Sequence, residues 1–297
     1  IARQGQIARV KTIEELEELV DRQHLEQAFE KSLTRLQKLS VKIVGADQEI
    51  KRLRAVYAEF LEKDAAFLKP VRNSLKLEDA EAGQLEILDT LGNELQINGE
   101  AISGRINLAI LRKNFVIRKY IYDKERAREL YQAITELYQG NLAITQKTSN
   151  DLRVAVGSLS TYGRQLLLAR DRNSITSIQA NKIAQAARLF ETSLKTLKKG
   201  VANSAELEAI VQKIELDFFS LEAILTEADD SIAALQSQWL GEQENMKPLS
   251  ASLQESVDSI TASLNSLQVL SENVRTLAEN EALQAREMAE RIIGIVS

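Results

Sequence analysis

Apolar residues in this chain recur at seven-residue intervals. The longest such pattern closes the sequence: Leu253, Ile260, Leu267, Val274, Glu281, Met288 and Ile295 form one row. Val257, Leu264, Ser271, Ala278, Ala285 and Ile292 form a companion row, offset by four. Two rows in that register mark the a/d seam of a long helix in a bundle or coiled coil. Pro248 stands where such a helix can begin but not continue. At 1.5 Å per residue, Leu249 to Val296 spans roughly 70 Å. A second seam joins Leu88, Leu95, Ile102 and Ala109 to Leu85, Gly92, Gly99, Ile106 and Lys113. Each seam glycine costs about 1 kcal/mol against alanine, so it marks either close helix approach or a kink.

The same periodicity and its interruptions predict helices near 4–44, 47–72, 75–122, 124–170, 174–199, 204–240 and 249–297, with the tightest turns at 121–125 and 171–175. Asn173 and Ser174 read as an N-cap pair, and Asn203 with Glu206 as a capping box. The chain also repeats itself. Phe29–Lys38 (FEKSLTRLQK) and Phe190–Lys199 (FETSLKTLKK) share six of ten residues. Each follows an Asp-Arg pair and precedes a short break and a further helix, which is the order a duplicated helical unit leaves behind. The pattern therefore implies an all-α fold: elongated, two stacked antiparallel helical bundles sharing long terminal helices. The repeat units run roughly over 1–100 and 101–245, with a closing helix over 246–297, inside one domain spanning 1–297.

Composition narrows the chemistry. The chain has no cysteine, one histidine (His24), 12 glycines and only 2 prolines in 297 residues, so a turn-rich sheet protein is excluded and thiolate or histidine-rich metal sites have no ligands. Its 43 acids and 38 bases interleave, which argues against a nucleic-acid binder. No phosphate loop, nucleophile elbow or HExxH pattern is present, so no catalytic residue, cofactor or metal is expected. No run of 18 apolar residues spans a bilayer, and any membrane attachment is expected through segments flanking this chain. The apolar exit Ile292–Val296 fits either a frayed helix end or a piece cut from a longer protein.

The candidate binding residues are arginines near apolar faces. On a helical wheel Arg118 lies between the Ile106, Ile110, Ile117 and Ile121 face and a strip of Leu111, Phe115 and Tyr122, with Asn114 at the edge. Arg170 falls at the centre of the Leu152, Val156, Leu159 and Leu166 face, flanked by Arg153 and Arg164 near Ser160. An arginine there reaches either water or an anionic partner. In the second case Arg118 or Arg170, with Asn114, Tyr122 or Tyr162, recognises a small anion through the planar guanidinium fork. Glu281 interrupts its apolar row one seam position beyond the small residues Ser271 and Ala278, and such a polar break sets register or oligomer state.

A cysteine-free, helix-only chain of this length resembles the ectodomains of bacterial transmembrane receptors. The stretch Arg112–Ile134 is similar to the helical bimodular sensors of chemoreceptors, and Leu152–Asn173 resembles the membrane-distal segment of pilus-transducer and nitrate-sensor families, without their arginine-methionine core. The two-bundle plan is also similar to the sensors of TorS-type histidine kinases, which work through a periplasmic binding protein. The resemblance implies a periplasmic, non-enzymatic sensor domain of an inner-membrane receptor, homodimeric in its parent. It implies recognition of a small anionic ligand or a periplasmic binding protein, and transmission of a helix shift. A cytosolic helical scaffold or membrane-curvature module is the competing expectation.

Overall fold

The computed structural model describes residues 11–20, 23–40, 45–138, 141–201 and 204–296. Every regular element among them is helical: α1 Ile13–Val20, α2 Gln23–Ser40, α3 Ala46–Tyr120, α4 Ala127–Tyr138, α5 Asn141–Leu167, α6 Arg172–Ser177, α7 Ala184–Val201, α8 Ala205–Glu222 and α9 Ile232–Val296. A π turn, Ile178–Ile183, joins α6 to α7, and a second, Ala223–Glu227, ends the α8 rod. The chain is all-α, as its periodicity predicts.

Two compact units divide it, one made of Ile1–Leu75 with Glu242–Ser297 and the other of Lys76–Gly241. The boundaries at 75/76 and 241/242 fall within α3 and α9. Neither proline ends a helix: Pro70 lies inside α3 and Pro248 inside α9. The breaks expected at 72–75 and 240–249 are thus absent.

In the Lys76–Gly241 unit, cross-helix contacts fix an antiparallel bundle. Asp89 meets Arg164 while Glu100 meets Arg153, so α5 descends as α3 rises. Glu94 pairs with Lys213 and Arg105 with Glu206, which sets α8 antiparallel to α3. Leu88, Leu95, Ile102 and Ile106 are buried in the core, as the second seam requires, together with Leu159, Leu166, Phe190, Leu197, Ile214 and Phe218. Gly99 serves close approach and not a kink, since α3 is continuous and a Cβ there would lie 3.2 Å from the Arg153 side chain. The Ile1–Leu75 and Glu242–Ser297 unit has two smaller cores. Leu16, Phe67, Leu68, Val71, Leu75 and Leu253 form one, and Leu33, Ile50 and Leu53 the other.

Helix ends follow local capping chemistry. Gly45 has φ 89°, a left-handed conformation that glycine reaches without a Cβ clash, and α3 begins at the next residue. Asp171, not Asn173, caps α6: its Oδ1 accepts from the Ser174 amide at 2.7 Å, and that bond holds the Asp171 carboxyl below its ordinary range. Ser204 caps α8 by accepting from the Leu207 amide at 3.4 Å, whereas Asn203 lies outside the described residues. The turn at 228–231, inside the helix expected over 204–240, is closed by Ser231, whose hydroxyl accepts from the Ala234 amide at 3.3 Å.

The α9 seam differs from its expected register. Leu253 is buried and Ile260, Leu267 and Val274 are half-buried, but the row beside them is Ser256, Ser263 and Leu270, offset by three. Ser256 and Ser263 are 3% and 2% exposed, while Leu264 is 45% exposed and Ser271 faces water. The hydroxyl of Ser256 is satisfied by the Ser252 carbonyl one turn back, at 3.3 Å, so burying it costs little. The Glu281 side chain lies outside the described residues.

Candidate functional site

Two glycines and a row of amides open a groove between α3 and α5. On α3, Gly92 lets α5 approach: a Cβ there would sit 2.9 Å from the Ser160 hydroxyl. On α5, Gly157 has no atom within 4 Å of the position its Cβ would take, so it leaves space. The resulting cavity is about 520 Å³, within the range of small-molecule sites, and is walled by Asp89, Asn93 and Gln96 of α3 against Asn150, Arg153, Ser160 and Arg164 of α5.

Charge lies at the two ends of this groove. Arg164 donates to Asp89 at 2.8 Å, and Arg153 lies 3.5 Å from Glu100, which also accepts from Gln96 at 3.2 Å. Both pairs are well exposed, so each contributes about 0–1 kcal/mol to stability and the guanidinium groups keep donors to spare. Asn93 and Ser160 between them, and Asn150 just beyond Arg153, form no side-chain hydrogen bond with a described residue. Such an array can fork two oxygens of a bound carboxylate at either end and hydrogen-bond neutral groups between.

The residues singled out by the wheel lie elsewhere. Arg118 is exposed on the last turn of α3, Asn114 half-buried one turn earlier, and Tyr122 93% exposed in the turn that follows. Arg170 is exposed in the turn after α5, and Tyr162 is half-buried with the Lys182 amine 5.7 Å from its ring centre. Because Arg164 is level with Asp89, Arg170 and Arg118 stand on the order of 40 Å apart along α3. The fold therefore does not bring these two sets together, and none of the five lines the groove. Arg153, Arg164 and Ser160, noted only as flanking residues, do. Asp89, Asn93, Gln96 and Asn150 escaped notice because isolated polar residues on a helix read as solvated. Gly92 beside them was the available signal.

Among the described residues no cluster of three or more His, Cys, Asp or Glu side chains could hold a metal ion. No described helix is long and apolar enough to cross a membrane.

No protein-family model and no curated protein matches the chain. Among solved structures it is similar to the TorS sensor domain, determined in complex with TorT in the presence of TMAO, with a TM-score of 0.60. The two share 14% identity, and the match covers 91% of this chain and 92% of that one. At that identity the likeness establishes the fold alone, an all-helical architecture over nearly the whole chain.

Proposed function

We propose that the chain is the extracytoplasmic sensing domain of a bacterial membrane receptor, either a chemoreceptor or a sensor histidine kinase. In this reading it is periplasmic and non-catalytic, responds to a small ligand or a periplasmic binding protein, and acts as a homodimer in its parent. The observation that carries the proposal is the fold likeness to a sensor domain over nine-tenths of the chain, whose solved counterpart is bound to a second protein.

The outer face of α3 supports a partner-covered surface. Ile97, Ala101, Gly104, Leu108, Leu111, Phe115 and Arg118 follow one another at alternating four- and three-residue steps, and all are exposed. Leu111 and Phe115 are 62% and 70% exposed, unusual for large apolar side chains arranged in a row. A seam in that register suits a helix from a second copy. Binding that favours one packing of such helices over another shifts the population between them, by small sliding or rotation of the packed rods.

The compartment is tested on the parent receptor in its own membrane. External protease should cleave this domain in spheroplasts and leave it intact in right-side-out sealed cells. Protection in spheroplasts, with cleavage only after lysis, overturns the proposal.

A further inference from the structure

A second cavity, about 630 Å³, lies in the Lys76–Gly241 unit away from the α3–α5 groove. Its wall is unusual in two respects. Both π turns contribute to it: Gln179 comes from Ile178–Ile183, and Thr226 and Glu227 from Ala223–Glu227. A π turn inserts one residue into the α ladder, is rare, and recurs at functional sites because it re-aims the side chains around it. Here two of them, from different rods, face one space.

The second respect is electrostatic. Arg172, Glu227 and Asp229 all line the cavity, yet none forms an ion pair with another or with any described residue. Elsewhere in this unit Arg105, Arg153 and Arg164 each pair with an acid on the facing helix. The Arg172 guanidinium extends across to α9, where the missing side chain of Gly241 makes room: a Cβ there would lie 3.1 Å from Nη2. Glu227 also acts on Glu222. The Glu222 carboxyl is pushed up first by burial and then by Glu227 and Glu191. Opposite charges facing one cavity without meeting are complementary to a ligand that carries both.

We propose that this cavity binds a small zwitterion of the α-amino acid class, with Arg172 forking to its carboxylate and Glu227 and Asp229 receiving its ammonium group. Gln179 and Gln238 border the same space and supply neutral donors and acceptors to the remainder of the ligand. The site is separate from the groove described above. It is also independent of the sensor proposal, since binding is read on the purified chain and not on its compartment.

The test is calorimetric titration of the 297-residue chain with the twenty common L-amino acids, with propionate and propylamine as single-charge controls. At least one amino acid should bind, and both controls should bind at least about tenfold more weakly, the loss expected for removing one charge-assisted contact. Arg172→Gln should abolish binding. Glu227→Gln with Asp229→Asn should weaken it at least about tenfold. Gly241→Ala, which displaces the guanidinium without removing it, should give an intermediate loss with an unchanged circular dichroism spectrum. Absence of binding by all twenty overturns the proposal, as does equal binding of propionate or affinity unaltered in Arg172→Gln. Should Arg172→Gln unfold the chain, Arg172→Lys and the paired acid variants decide: a folded paired variant that binds as the parent does also overturns it.

Discussion

Phe190 and Phe218 lie face to face in the core, ring centres 3.9 Å apart and planes inclined by 7°. A corresponding ring contact, tilted by 35°, occurs in the other unit, where Phe29 meets Tyr57 at 4.0 Å, and in both cases the partner lies 28 residues downstream. Gln37–Arg54 and Lys198–Glu215 repeat a cross-helix polar contact at matching positions. Buried Leu33, Ile50 and Leu53 correspond in the same way to Leu194, Val211 and Ile214. The pair of segments that share six of ten residues thus also share their packing. Phe218→Ala should destabilise the chain by about 3–5 kcal/mol in urea unfolding, the range for truncating a fully buried aromatic. Tyr57→Ala should cost less, because Tyr57 is only half-buried. Equal losses would contradict this account.

Glu81 gives the chain a pH dependence of unusual sign. Burial, and then the neighbouring Glu78 charge, raise its carboxyl from 4.5 to about 7. One of its oxygens is buried without a hydrogen-bond partner among the described residues. The folded state therefore holds a proton that the unfolded chain releases near pH 4.5, so this group's contribution is full below that pH and is lost as pH rises through about 7. Urea midpoints measured between pH 5 and pH 8 should fall less in Glu81→Gln than in the parent chain. Parallel curves would mean that Glu81 titrates normally.

Two glycine substitutions should act in opposite directions. Alanine at Gly163 would place its Cβ 2.7 Å from methyl carbons of both Leu88 and Leu225, and should cost about 1–3 kcal/mol through overpacking. At Gly83 nothing lies within 4 Å, and alanine should stabilise by about 0.5–1 kcal/mol through helix propensity alone. Thermal melts of the two variants, shifted to opposite sides of the parent, would verify the α3–α5–α8 packing.

Arg118→Ala and Arg170→Ala should each leave stability within about 0.5 kcal/mol of the parent, since both side chains are exposed and neither forms an ion pair with a described residue. They matter for a different measurement. If a small anion is recognised through Arg118 at the end of α3 or Arg170 after α5, its response should weaken in the corresponding variant, and an intact response in both removes that role.

The helical rows were legible because burial of Leu88, Leu95, Ile102 and Leu253 is written in their apolar side chains and in the seven-residue step. The companion row of α9 was not, because Ser256 and Ser263 look like surface residues until the backbone carbonyl one turn back is seen to accept the Ser256 hydroxyl. Pro248 reads as a helix start because proline removes a ladder hydrogen bond, a local cost that packing of the surrounding helix outweighs. The two π turns leave no readable trace, since one extra residue shifts the pattern by about 100° but one turn follows a helix of only six residues and the other ends its helix, so no row continues far enough on both sides to show it. The α3–α5 groove was half visible: Arg153, Arg164 and Ser160 fell near one another on a wheel, but Asp89 and Asn93 come from a helix some sixty residues away, and only the antiparallel pairing joins them.

The hydroxyl-lined row of α9 has a mechanical corollary. Leucine and isoleucine interlock by shape, so displacing them along a neighbour means climbing out of fitted sockets, whereas Ser256 and Ser263 present nearly smooth relief. One of these hydroxyls, on Ser263, faces the interior with no partner among the described residues, so the tight fit there carries an uncompensated polar atom. The segment from Leu253 to Leu270 accordingly interlocks little with its neighbours. Exchanging Ser263 for alanine would remove the uncompensated hydroxyl and stabilise the chain while leaving that smooth relief in place.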